Sequence, residues 1–158
     1  MNTRITADGL IGAWSGDYSL WLGPDMPVKE SSTKATVTAA ARGQFLVITY
    51  TWTEAEKQHD GVLTVRLADE PSPVDMVWVD SFHTMGGFMQ FAGAPTEDGS
   101  VEGTTTWSVG DGPDWGWRIV VSSQGPDDLV VRMFIATPTG EESPAVESRY
   151  TRLSPPTS

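Results

Sequence analysis

Asp80, Ser81 and His83 lie within one short stretch, and together they hold the residue types of a hydrolytic triad. Asp80 and His83 could also act as acid and base toward a small apolar substrate. The spacing argues against a nucleophilic serine. Adjacent residues of an extended segment point to opposite faces, which separates Asp80 from Ser81, and no Gly-x-Ser-x-Gly turn presents a hydroxyl. A polar rim, where a strand leaves the fold, is the plainer use of Asp80 and His83. The other histidine, His59, is distant in sequence, and Gly110-Asp111-Gly112-Pro113-Asp114 is too short for a calcium loop. No metal site and no cofactor are therefore expected. The absence of cysteine excludes disulfides, thiolate catalysis and thiolate-ligated metals.

Arg66, Arg118 and Arg132 each interrupt an apolar run, and a guanidinium facing inward would suit a ligand carboxylate. Arg118 alternates with Trp117, Ile119 and Val121, and Arg132 with Val131 and Met133. Both therefore sit opposite the more apolar face and are expected to face solvent. Seven tryptophans are the most unusual feature of the composition. So many large rings, each with an N–H to satisfy, do not all fit a small core, and some should line a pocket or an exposed patch. Met85, Phe88, Met89 and Phe91 add soft apolar surface around Gly86-Gly87.

The elements that position these residues follow from periodicity. Apolar side chains recur at every second position in short runs, separated by turn residues, which predicts strands joined by hairpins. The runs cover Leu10 to Leu22, Thr33 to Ala41, Gln44 to Thr53, Val62 to Ala68 and Met76 to Phe82. They continue through Gly87 to Ala92, Val101 to Val109, Trp115 to Ser122, Leu129 to Thr137 and Ala145 to Leu153. Between them His59-Asp60-Gly61, Glu97-Asp98-Gly99, Gly110-Asp111-Gly112-Pro113, Gly125-Pro126-Asp127-Asp128 and Pro138-Thr139-Gly140 read as turns. Gly23 to Ser32 is the one stretch with room for a short helix or a lid. A meander of about ten strands must deal with its edges, and closure into an antiparallel all-β barrel removes them; a two-sheet sandwich is the competing architecture. Residues 1 to 153 are expected to form one domain, with 154 to 158 a disordered tail.

Charge bounds the partners. With 21 Asp and Glu against 10 Lys and Arg, the formal charge is -11. Such a surface repels phosphate backbones and anionic lipid, so neither nucleic acid nor a membrane is an expected partner. The first eight residues lack the apolar core of a signal peptide, and no later run approaches the ~20 apolar residues of a bilayer span. A cytoplasmic location is the expectation.

Leu10-Ile11-Gly12-Ala13-Trp14-Ser15-Gly16 resembles the opening of calycin-like barrels, the group of lipocalins, fatty-acid-binding proteins and nitrobindins. Gly43-Gln44-Phe45-Leu46-Val47, Trp78-Val79-Asp80-Ser81 with Met85-Gly86, and Glu147-Ser148-Arg149-Tyr150-Thr151-Arg152 extend the likeness. Together they resemble the bacterial domain of unknown function 1579 from about Leu10 to Leu153. The resemblance implies a barrel of about ten strands around a cavity, with Trp14 plugging its closed end. It implies no assigned activity. Nitrobindins hold haem through a histidine late in the barrel, and here none follows residue 83. Fatty-acid-binding proteins hold a carboxylate through Arg-x-Tyr, which this chain reverses as Tyr150-Thr151-Arg152.

The expected function is therefore non-catalytic binding of a small hydrophobic molecule, with or without a carboxylate, inside the barrel. Trp78, Phe82, Phe88, Trp107, Trp117 and Tyr150 are the expected wall, Arg132 and Arg152 the anchors, and Asp80 and His83 the rim. Two alternatives remain open: an enzyme using Asp80 and His83, and a homodimeric interaction module joined through exposed tryptophans.

Overall fold

In ten segments one side chain in two is apolar, and burying that face turns the chain back on itself until the first strand meets the last. A computed structural model describes residues 5–68, 72–96 and 99–153. A short helix, α1 (Ala7–Leu10), precedes β1 (Gly12–Leu20), β2 (Lys29–Ala40), β3 (Phe45–Glu54), β4 (Lys57–Arg66) and β5 (Met76–Asp80). β6 (Met89–Pro95), β7 (Val101–Trp107), β8 (Trp115–Gly125), β9 (Asp128–Ala136) and β10 (Glu142–Arg152) complete the chain. Each strand pairs with its neighbours in sequence, and β1 pairs with β10, so all ten form one closed antiparallel barrel. The sandwich alternative is thereby excluded. Among the described residues no helix is long and apolar enough to cross a membrane.

Alternation sorts the faces. In β3, Leu46, Ile48, Tyr50 and Trp52 are buried, and in β8, Trp117, Ile119 and Val121 are. Arg118 and Arg132 face outward between them. Arg118 forms a two-pronged bond to Glu142 at 2.8 and 2.9 Å and lies over the Phe134 ring, and Arg132 pairs with Glu147 at 2.8 Å.

Two local expectations are corrected. His59-Asp60-Gly61 is not a turn but the interior of β4, which pairs with β3 as far as Glu54 and Lys57. The turn is Ala55-Glu56, with φ of 50° and 67°. Both central residues take the positive φ whose twist suits a tight hairpin, a signal hidden by the absence of glycine or asparagine. The short helix lies before β1 rather than in Gly23 to Ser32.

One end of the barrel is sealed by α1 and the last turn of β10. Trp14, fully buried, donates its indole N–H to Leu10 O at 2.9 Å. The Arg152 guanidinium lies 4.4 Å from the centre of the Trp14 ring. It donates to the carbonyls of Gly9, Ile11 and Pro126 at 2.7, 2.8 and 2.9 Å. Gly12, at φ 142°, leaves room for it, since a Cβ there would come within 2.8 Å of Nη1. Arg152 is thus a seal at the closed end and not a ligand anchor. Replacing it with alanine removes a stacked cation and three charge-assisted bonds, an expected loss of roughly 3 kcal/mol in urea unfolding, and lysine should restore little of it.

Candidate functional site

The two halves of the barrel interior differ. In the half nearer the Trp14 seal, Tyr18, Ile48, Tyr50, Leu63, Val131, Met133, Val146, Ser148 and Tyr150 leave a void of about 10 Å³, room for about one water. At the opposite end a cavity of about 840 Å³ opens among the ends of β1, β5, β7, β8 and β10. That volume falls within the range of small-molecule sites, about 300–1,000 Å³. Trp78, His83 and Trp117 belong to its lining, Trp107 and Trp115 form another part, and Trp21-Leu22-Gly23-Pro24 of the β1–β2 connection borders it.

Beneath this cavity lies a carboxylate. Asp80, the last residue of β5, has no exposed side-chain surface. Its Oδ2 accepts the Tyr50 hydroxyl at 2.6 Å and the Trp52 indole N–H at 3.1 Å. Its Oδ1 accepts the backbone N–H groups of Phe82 and His83 at 2.8 and 3.0 Å and approaches His83 Nδ1 at 3.3 Å. The Trp78 indole N–H in turn donates to the Tyr50 oxygen at 2.7 Å. Gly61, opposite Tyr50 in the β3–β4 register, makes this possible: a Cβ there would collide with the Tyr50 hydroxyl. So the glycine that looked like turn chemistry supplies space for a phenol.

Burial by itself raises the Asp80 pKa. Hydrogen bonds from His83 and Tyr50 outweigh burial and hold it at about 2. Burial also raises the Tyr50 pKa well above its usual value, and the adjacent Asp80 charge adds to this, so the phenol stays a neutral donor. An ionised carboxylate only accepts hydrogen bonds, so His83 Nδ1 carries a proton, and in the neutral imidazole Nε2 holds the lone pair. The His83 ring is held in place by Trp52, Trp78, Phe82 and Trp117, whose centroids lie 5.0 to 5.7 Å away. Its side chain is 11% exposed and borders the cavity.

Ser81 takes no part in this. Its hydroxyl contacts His59 Nδ1 at 3.0 Å and accepts the Asp60 N–H at 3.1 Å, on the β4 side. Asp80, Ser81 and His83 therefore do not converge as a triad. Among the described residues no three His, Asp or Glu side chains gather to hold a metal ion, and the site offers a single imidazole.

Of the residues singled out in the sequence, Trp78, Phe82, His83, Trp107 and Trp117 come together around the cavity, and Asp80 lies behind His83. The others do not join them. Phe88 is 78% exposed in the β5–β6 connection. Tyr150 is buried in the packed half, with its hydroxyl 3.1 Å from Thr33 Oγ1. Arg132 and Arg152 are committed to Glu147 and to the closed-end seal, because β9 turns Arg132 outward and β10 ends at the sealed base. The expected wall left out Trp115, the Trp21–Pro24 segment and Met89, the last singled out only as soft apolar surface. Trp115 pairs directly with Trp107 across the β7–β8 hairpin, their rings 6.5 Å apart. Centring that hairpin on Gly110-Asp111-Gly112 would have revealed the pair.

The family described as Protein of unknown function (DUF1579) matches residues 6–152. The chain belongs to this family. Among solved structures, this DUF1579 barrel is similar to the S-type phycobiliprotein lyase CPES from Guillardia theta. The TM-score is 0.62 at 13% identity, over 97% of this chain and 96% of that one. At that identity the likeness is one of fold. No curated protein matches the chain in sequence.

The depressed pKa gives Asp80 a signature in acid. Its contribution to the stability of the DUF1579 barrel is complete above 3.8 and is lost as pH falls through that value toward about 2. Asp80→Asn should cost roughly 2 kcal/mol near neutral pH and flatten the stability profile across that acid window, as read by urea unfolding at a series of pH values.

Proposed function

We propose that this barrel binds a small, flat, apolar molecule in the cavity at its mouth. The observation that carries this reading is an aromatic-walled cavity of about 840 Å³ at one end of the barrel, where the void among Tyr18, Ile48, Tyr50 and Tyr150 nearer the other end is only about 10 Å³. Trp78 and Trp117 lie nearly parallel with centroids 5.5 Å apart, and Trp107 and Trp115 add two more indoles. Such faces stack on a planar guest and release water from apolar surface. Because the cavity lies at the end of the barrel, a guest can enter without any strand pair opening.

Among the described residues no arginine or lysine lines the cavity. A carboxylate entering it would lack the guanidinium partner anticipated from Arg132 or Arg152. The tryptophan-mediated dimer draws less support. Trp14, Trp52, Trp78 and Trp117 are buried, and the exposed Trp107, at 36%, belongs to the cavity wall. Catalysis by a serine draws none, since Ser81 is engaged with His59 and Asp60.

Titration with the neutral probe N-phenyl-1-naphthylamine should show saturable one-to-one binding by probe fluorescence. Trp107→Ala, which removes a partly exposed ring from the wall, should weaken it about five- to tenfold, the scale of one aromatic contact. Absence of saturable binding to the unmodified chain would remove the proposal.

A further inference from the structure

We infer that His83 Nε2 reads this guest, and that the guest it selects carries a hydroxyl on an aromatic framework rather than a carboxylate. The inference rests on the mouth-binding reading above and adds the polar contact that the aromatic walls lack.

Two polar valences at the cavity are unmet. The first is a lone pair. His83 Nδ1 is bound to Asp80, so in the neutral ring Nε2 is an acceptor, and among the described residues no hydrogen bond to it is found. The second is a donor. Trp117 Nε1–H is buried and has no acceptor, although its ring lines the same cavity and lies 5.7 Å from the His83 ring, centre to centre. Trp78 shows the ordinary outcome for such an indole, with its N–H satisfied by Tyr50. Buried polar groups are nearly always paired, so the unpaired Trp117 N–H is an exception, and it belongs to the same cavity lining as the His83 ring.

A hydroxyl supplies what the lone pair needs, a proton donated to His83 Nε2, and its oxygen remains an acceptor in the cavity that the Trp117 ring also lines. A carboxylate can serve the indole but has no proton for Nε2. It would also bring a second negative charge up to the far side of the imidazole that Asp80 already holds, with no lysine or arginine among the described lining residues to offset it. The remaining titratable groups around His83 do not change this. Tyr50 is held neutral by burial and the Asp80 charge, and His59, which like His83 lies against Trp52 and Phe82, is hydrogen-bonded to Ser81. An ether or plain hydrocarbon fits the walls yet leaves Nε2 stripped of water and unpaired.

Calorimetric titration of the full chain at neutral pH with three probes of one shape tests this: 2-naphthol, 2-methoxynaphthalene and 2-naphthoate. The expected order is naphthol first, about tenfold tighter than the methoxy compound, with naphthoate weakest, because a site that lacks its matching group leaves buried polar atoms unpaired. His83→Phe should abolish the difference between naphthol and methoxynaphthalene, and His83→Gln, which keeps an acceptor, should preserve part of it. Equal binding of naphthol and methoxynaphthalene by the unmodified chain would overturn the inference while leaving the mouth-binding reading intact. Tightest binding of naphthoate, lost in His83→Phe, would also overturn it, since the imidazole would then act as a cation. Failure of all three probes to bind would remove the underlying reading itself.

Discussion

A carboxylate with no exposed surface is among the most expensive groups a small barrel can bury, and this one is tolerated only because five donors converge on it. Those donors come from different parts of the chain. Tyr50 and Trp52 belong to β3, and Phe82 and His83 to the turn that follows β5. Asp80 therefore fixes where the β5 strand ends, how the turn after it folds, and which way the His83 ring faces. The aromatic floor depends on the same atom: Tyr50 can orient Trp78 only because its own proton is taken by Asp80.

The barrel divides its labour along its axis. At the sealed end the Arg152 guanidinium rests on Trp14 and ties α1 to the last turn of β10, so the first and last elements are locked together. Filling that half with Tyr18, Ile48, Leu63 and Val131 leaves almost no free volume, and it provides the rigid base on which the open half is built. The open half gives up packing in exchange for space. Its connections are also where exposed apolar residues collect: Leu22, Met26, Met85, Phe88 and Val109 all belong to segments at this end. A cavity placed at the end of a stiff cylinder needs little preorganisation beyond the strands themselves.

How much of this the sequence revealed follows from the range of the interactions. Period-two alternation is local, so all ten strands were legible, as was the outward direction of Arg118 and Arg132, whose neighbours at odd offsets are apolar. Closure was legible only indirectly, as a remedy for open edges. Of the Asp80 cluster only Asp80 and His83 at the rim were legible; Tyr50 and Trp52 were not, because strand register brings them there and register is not written in composition. Gly61 illustrates the difficulty. Beside His59 and Asp60 it has the look of a turn, yet its role is set by a residue eleven positions earlier across a ladder. The same holds for Arg152 and Tyr150. Their Tyr-x-Arg spacing suggested one ligand-binding face, and only the pairing of β10 with β1 shows that this face ends at the sealed base.

A buried polar cluster that only stabilised the fold could, if acid and side-chain donors were exchanged together, be replaced by apolar contacts at little cost, and often with gain. What an apolar residue could not do is decide the tautomer of the neighbouring imidazole. With a neutral hydrogen-bonding partner, the proton on His83 could sit on either nitrogen, and the face turned to the cavity would alternate between donor and acceptor. The ionised Asp80 removes that freedom, because it can accept only. The depressed pKa matters for the same reason: a carboxyl near the ordinary value would begin to protonate in mild acid, whereas one at about 2 stays ionised there and keeps accepting the Nδ1 proton. The charge, costly to the fold, thus places the lone pair of a neutral His83 ring on Nε2, the nitrogen not held by Asp80.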